Sequence, residues 1–220
     1  MSNCPSLATP PSCTIIGRRV GRPKGFRRDD VIERALVLFR EQGYAGTSIQ
    51  DLVKATGSNR YSLYEEFSDK RGLFIAALTR FQSQKLAEAT ELLSEPGPKI
   101  PLLRRYFESL RERSRKCGPV NCLVTISAVN LASGDEEIAA CVLQHFAALV
   151  QVFERVVVEA KATGEITSPL PPKSLARALI NAARGMRIIA QFEGLDETVI
   201  DIAETTLALL EPKELMEGGS

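Results

Sequence analysis

Apolar positions along the chain recur at steps of three and four residues, the period of a helix with one buried face. Ile32, Ala35, Leu36 and Phe39 form the first such set. They predict a helix capped by Asp29 or Asp30 and ended at Gly43. Ile49, Leu52 and Val53 predict a short second helix, capped by Thr47 or Ser48 and stopped by Gly57. Leu63 and Phe67, four residues apart, turn inward from a third, which Asn59 can cap. Ser68 or Asp69 caps a fourth, running from Lys70 to about Leu93.

Pro96, Pro98 and Pro101 mark a break. Beyond it the helical period returns over about 102–115, 122–132 and 136–163, then over 173–192 and 196–210. The stretch from Cys122 to Ala132 is apolar nearly all round, which predicts a buried central helix. No segment alternates with period two between turn signals. The expected fold is all-α, with about nine helices. Four units are expected: a disordered basic arm (1–28), a helix-turn-helix domain (29–75), a larger helical domain (76–211) and a flexible tail (212–220).

Composition narrows the class. Of 220 residues, 44% are apolar and 25% charged, as in ordinary globular proteins. No uninterrupted apolar run approaches the roughly 18 residues of a membrane span, and the N-terminus does not read as a secretory signal. The net charge of +1 is unevenly spread. Arg18, Arg19, Arg22, Lys24, Arg27 and Arg28 stand in a first segment without a single acid, which suggests a polyanion docking at that end. Gly21, Pro23 and Gly25 keep this arm out of helix. It can enter a minor groove or simply add counterion-release affinity, and its floppiness favours the second.

The five cysteines (Cys4, Cys13, Cys117, Cys122 and Cys141) include no CxxC, and His145 is the one histidine. A structural zinc site is therefore not expected, and no metal or cofactor is implied. Free thiols in a reducing cytoplasm fit this count. An enzyme is disfavoured, because there is no Ser/His/Asp set and no phosphate-cradling glycine loop.

The segment TSIQDLVKATGSNRYSLYEEF, from Thr47 to Phe67, carries the functional argument. It reads as a short helix, a tight turn at Gly57-Ser58-Asn59 and a second short helix. That is helix-turn-helix architecture, whose second helix enters the major groove of DNA. Asn59, Arg60, Tyr61, Ser62 and Tyr64 crowd the polar face of this second helix. Arg60 suits bidentate reading of guanine, Ser58 and Ser62 suit phosphate or base contacts, and Thr47 and Ser48 suit phosphate.

The stretch from Val31 to Phe74 resembles the N-terminal domain of the TetR/AcrR family of bacterial transcriptional regulators. The matching residues are Ala35-Leu36-x-x-Phe39, Gly43-Tyr44-x-x-Thr47-Ser48-Ile49-x-x-Leu52, Ala55-x-Gly57, Leu63-Tyr64-x-x-Phe67 and Lys70-x-x-Leu73-Phe74. Gly21-Arg22-Pro23-Lys24 resembles the basic lead-in of many members, which adds Arg22 and Lys24 to the expected DNA contacts. The resemblance implies phosphate contacts at Thr47, Tyr64 and Lys70, with Ser58 to Ser62 probing the groove. Tyr61 and the Glu65-Glu66 pair depart from the usual pattern, so no relative's operator transfers to this chain.

The same resemblance implies a ligand-binding and dimerisation domain after about residue 75. Leu103, Tyr106 and Phe107, Cys122 and Ile126, and Phe146 and Val150 are the expected pocket walls for a small-molecule effector of unknown identity. His145 is expected to be a packing or capping residue. The last two helices are expected to pair with their copies in a twofold dimer. Their faces are Leu175, Leu179, Ala182, Ala183, Met186 and Ile189 on one, and Val199, Ile202, Ala203, Thr206, Leu207 and Leu210 on the other. The expected activity is repression at a palindromic operator, relieved by the effector, with double-stranded DNA as partner and no membrane. Two alternatives stand beside it. One is a thiol sensor of the same fold acting through Cys117, which follows Arg113, Arg115 and Lys116, or Cys122, whose Asn121-Cys122-Leu123 setting resembles an element of cysteine-sensing members. The other is a helical interaction protein that does not bind DNA.

Overall fold

The computed structural model describes residues 27–117, 123–190 and 192–210, with side chains of 114–117 left aside. Among them are nine helices and no strand: α1 (Arg28–Gly46), α2 (Ile49–Thr56), α3 (Arg60–Phe67), α4 (Lys70–Leu93), α5 (Lys99–Cys117), α6 (Leu123–Asn130), α7 (Glu136–Ala162), α8 (Pro172–Ile189) and α9 (Asp196–Ala208). The all-α expectation and the bounds of α4 agree with this. Of the arm (1–28) only Arg27 and Arg28 are among the described residues, and the tail (212–220) lies outside them.

Local chemistry sets most helix ends. Ser48 and Asp51 form a reciprocal capping box at the start of α2. Asn59, Asp69 and Asp135 cap α3, α4 and α7 with side-chain oxygens. The start of α1 differs from the expectation. Arg27 holds the cap position with no side-chain bond, and Asp29 and Asp30 sit inside the first turn, where their negative charge stabilises the positive end of the helix dipole. Gly43 (φ 72°) breaks α1 before its last turn.

α5 begins three residues earlier than the periodicity suggests. Pro101 is tolerated in its first turn, where an N–H would have no helical partner. Two of that turn's N–H groups, from Lys99 and Ile100, donate to Glu165 Oε2 at 2.6 and 3.0 Å. The cap comes from 65 residues away, so no local pattern announces it.

Two apolar cores result. One joins α1, α2, α3 and the first half of α4, and also takes Leu123 and Val124 of α6 and Ile138 and Val142 of α7. The other joins the end of α4 with α5, α8, α9 and the rest of α7. The DNA-side core therefore reaches past residue 75 into the larger domain, and α4 and α7 are shared by both.

Two expectations are corrected here. α6 is not a buried central helix: Val129 is 73% exposed, and only Leu123, Val124 and Ser127 are buried. Eight residues lying against α1, α4 and α7 have one covered side. Most of the faces assigned to dimerisation are instead the protomer's own core, since Leu175, Leu179, Ala183, Met186, Val199, Leu207 and Leu210 are all buried within it. Finally, α7 is long and apolar enough to cross a bilayer by length and composition. Its buried residues, from Ile138 to Ala160, pack into the two cores as those of a central helix do.

Candidate nucleic-acid interface

The turn between α2 and α3 is held tightly. Gly57 takes the left-handed conformation (φ 69°) and donates its N–H to the Val53 carbonyl at 3.0 Å. Buried Thr56 donates to the Leu52 carbonyl at 2.7 Å and accepts from the Ser58 N–H at 3.3 Å. Arg34 reaches across from α1 to the Thr56 carbonyl at 3.1 Å. Leu63 and Phe67 then sink α3 into the core.

The opposite face of α3 is open. Asn59, Arg60 and Tyr61 are exposed, Tyr61 to 75%. Asn59 Oδ1 accepts from the Ser62 N–H at 2.8 Å. Arg60 donates to the Tyr64 hydroxyl at 3.2 Å, and its guanidinium stands 5.1 Å from that ring's centre. This stacking extends the guanidinium in a fixed direction. Ser58, Ser62 and Tyr64 are half-buried at the rim of the same face.

The acidic pair divides. Glu66 turns back to Arg28 at 3.0 Å, and Arg28 also covers the Phe67 ring at 5.4 Å, while Glu65 stays exposed. Arg28 was not among the expected site residues. Its place on the rim becomes visible only once α1 packs beside α3.

Two expected phosphate contacts have other work. Thr47 is 1% exposed and donates to the Gly43 carbonyl at 2.7 Å. Lys70 Nζ donates to the Tyr44 and Thr47 carbonyls, both at 2.8 Å, and lies 4.3 Å from the centre of the Tyr44 ring. The break at Gly43 strands these carbonyls, and Thr47 and Lys70 satisfy them. Ser48 is exposed, but its hydroxyl is held by Asp51 Oδ2 at 2.5 Å, and that hydroxyl leads in drawing the Asp51 carboxyl below its usual range. Arg22 and Lys24 lie outside the described residues.

A cleft opens in the larger domain between α4, α5, α6, α7 and α8. Its empty volume is about 640 Å³ with the open mouth included. Of the residues expected to form pocket walls, Tyr106 lines it. Leu103 and Phe107 are buried in the core, and Phe107 borders a separate groove beside Met186 and Val199. Ile126, Phe146 and Val150 do not line it, and Phe146 and Val150, both on α7, pack instead against the two apolar cores. Cys122 and the Cys117 side chain lie outside the described residues.

Sequence reasoning missed the polar half of this cleft. Lys85, Glu88, Arg113, Arg184 and Arg187 come from three helices, and no spacing within one helix connects them. His145 is buried on the cleft wall. Burial, then the charge of Arg184, holds its pKa down to about 4. Among the described residues, no His, Cys, Asp or Glu cluster could hold a metal.

Comparison with known proteins bears on this geometry. Residues 31–77 match the sequence profile described as bacterial regulatory proteins, tetR family. Over 200 residues the chain is 32% identical to the HTH-type transcriptional repressor ComR of Escherichia coli K12, an alignment covering 90% of this chain and 95% of that one. It is 27% identical over 185 residues to the HTH-type transcriptional repressor DhaR of Mycobacterium sp. GP1, covering 82% and 92%. Among solved structures, a cysteine mutant of the TetR family transcriptional regulator CifR, complexed with 26-base-pair double-strand operator DNA, superposes with a TM-score of 0.73. At 23% identity over 85% of this chain and 98% of that one, the likeness concerns the fold.

Proposed function

Because this chain belongs to the TetR family of bacterial regulatory proteins, and is a DNA-binding transcriptional regulator rather than an enzyme, we propose that it represses transcription by seating α3 from two protomers in the major grooves of a palindromic operator. The observation that carries this reading is the division of α3. Leu63 and Phe67 anchor one face, while Asn59, Arg60 and Tyr61 are exposed on the other. Arg60 and Tyr61 read bases. Ser58, Ser62 and Tyr64 hold phosphates, with Arg28 at the rim and the Arg22–Lys24 arm adding charge. In this reading Thr47 and Lys70 position α2 and α4 rather than grip the backbone of the duplex.

The dimer forms through the outer sides of α8 and α9. Ala178, Gly185 and Ile188, with the amide of Asn181 among them, make a seam along α8, and Gly185 has open space where a Cβ would point. On α8 and α9, Ile188 (46% exposed) and Ile200 (41%) are large apolar side chains left uncovered by the protomer, as are Phe192 and Leu209 just beyond the two helices. Twofold pairing would set the recognition helices about 34 Å apart, or a multiple of that.

A small effector in the cleft relieves repression in the cytoplasm, where the DNA lies. A hundredfold release requires about 2.7 kcal/mol of coupling. α4 is the carrier, since Lys70 and Arg71 at its start touch the DNA-side elements and the α7 cap, while Phe81, Lys85 and Glu88 line the cleft. The deciding test is fluorescence anisotropy with the DNA upstream of the protein's own gene, titrated with salt. Nanomolar binding with a steep salt dependence is expected. Absence of binding to every duplex at low ionic strength would overturn the reading.

A further inference from the structure

α3 carries a carboxylate on the face it offers to solvent. Glu65 lies two residues from Leu63 and two from Phe67, so at about 100° of turn per residue it points about 160° away from each. Those two are the buried anchors of the helix, and Glu65 is exposed. Tyr61, one turn earlier, stands on the same side and is exposed as well. The centre of the outward face is therefore acidic. Among the described residues no hydrogen bond or ion pair reaches Glu65. Its neighbour Glu66 turns back to Arg28 at 3.0 Å. The cation of α3, Arg60, is turned to Tyr64, donating to its hydroxyl at 3.2 Å and stacking on its ring.

We propose that Glu65 is a specificity-determining residue of the DNA interface, accepting a hydrogen bond from the N4 amine of a cytosine in each half of the operator. This rests on the reading of α3 as the helix that enters the groove. A carboxylate set into a major groove is repelled by the phosphates that flank it. Only a donor on a base edge offsets that repulsion, and two bases present one there: adenine through N6 and cytosine through N4. Adenine sets its N7 acceptor beside the amine, where it repels the second carboxylate oxygen. Cytosine presents the amine with no acceptor of its own. Glu65 thus works by exclusion as much as by attraction. It weakens binding to every duplex, and a cytosine at the right step offsets the loss. The different fates of the two acids fit this division: Arg28 neutralises Glu66 at the rim, while Glu65 keeps its acceptor oxygens for the groove.

The test uses the full chain and a library of duplexes randomised over about 20 base pairs, two turns of the double helix. Rounds of binding and amplification are run with the parent, Glu65→Ala and Glu65→Gln, each variant first shown to melt as the parent does. The parent should enrich sites with a cytosine at one fixed position in each half. Glu65→Ala should enrich the same sites with that position open to all four bases. Glu65→Gln should exchange the cytosine for adenine, because a carboxamide pairs with adenine N6 and N7 together. In anisotropy titrations the parent should favour its cytosine over the other bases by about fivefold or more. Glu65→Ala should lose that preference and bind unrelated duplexes more tightly than the parent. N4-methylcytosine at the same position, with a methyl in place of the groove-side hydrogen, should weaken the parent by a similar factor and leave Glu65→Ala unaffected. A cytosine preference retained by Glu65→Ala, or an even change of affinity on all sequences, overturns the proposal. Enrichment by the parent of a site with no such cytosine overturns it too and leaves the regulator reading standing. Enrichment of no sequence at all overturns both.

Discussion

Arg71 grips Asp135 with two nitrogens at once, Nε to Oδ2 at 2.5 Å and Nη2 to Oδ1 at 2.7 Å, across 64 residues of sequence. The same carboxylate caps α7 through the N–H groups of Glu137 and Ile138, both at 3.1 Å, and Arg71 also reaches Glu137 at 2.8 Å. The start of α4, which carries the DNA-side elements, is thereby tied to the start of α7, which walls the cleft. Arg71→Met and Asp135→Asn should each lower the melting temperature, and the double variant should melt no lower than the worse single one. Additive losses in thermal unfolding would show that the two residues act apart.

His145 predicts a pH dependence with a definite sign. Its native pKa is about 4, against about 6.5 when unfolded. The unfolded chain therefore takes up a proton that the native one refuses, and stability is lost as pH falls from about 6.5 to about 4. The loss amounts to about 3 kcal/mol. Urea unfolding at pH 7.5 and 4.5 should show it, and His145→Gln should flatten the difference. Asp135, drawn down to about 2 chiefly by Arg71, adds a separate loss below about pH 4.

The two kinds of residue at the DNA end should separate by assay. Arg60→Ala should cost about 1–3 kcal/mol of operator binding with the melting temperature unchanged. Lys70→Met should do the reverse first, because it leaves the Tyr44 and Thr47 carbonyls without their donor, at about 1–3 kcal/mol of stability. Anisotropy and calorimetric melting of the same samples distinguish them. An Arg60→Ala protein that binds as tightly as the parent would remove Arg60 from the interface.

Gly72 is the tightest point between α3 and α4. A Cβ there would stand 2.0 Å from the Phe67 carbonyl oxygen. Gly72→Ala must shift the backbone that sets the pitch of α3, costing at least about 1–3 kcal/mol and weakening DNA binding beyond that loss. Gly46→Ala, whose new Cβ would meet only Gln42 at 3.8 Å, is the control for denaturant unfolding and DNA titration.

The seam on α8 makes the assembly testable. Ile188→Glu should convert the dimer to monomer in sedimentation and reduce operator affinity more than tenfold. Leu143→Glu, also apolar and exposed but on α7, should leave the sedimentation coefficient unchanged.

Much of this protein could be read along the chain, wherever one segment carries its own instructions. Periodicity and caps marked α2, α3 and α4, because Ser48, Asn59 and Asp69 accept from N–H groups three residues on. The same local logic separated the outward Asn59, Arg60 and Tyr61 from the inward Leu63 and Phe67. Tertiary structure decided what those patterns leave open. An apolar stripe states that it will be buried but not by what, so the stripes of α8 and α9 went to α7 and to each other instead of to a second copy. A hydroxyl or ammonium group states that it will be bonded but not to what. Thr47 and Lys70 therefore went to carbonyls stranded by the break at Gly43, and Glu165 went to the start of a distant helix. The cleft belongs wholly to this second kind, since its cations come from helices that only the folded chain brings together.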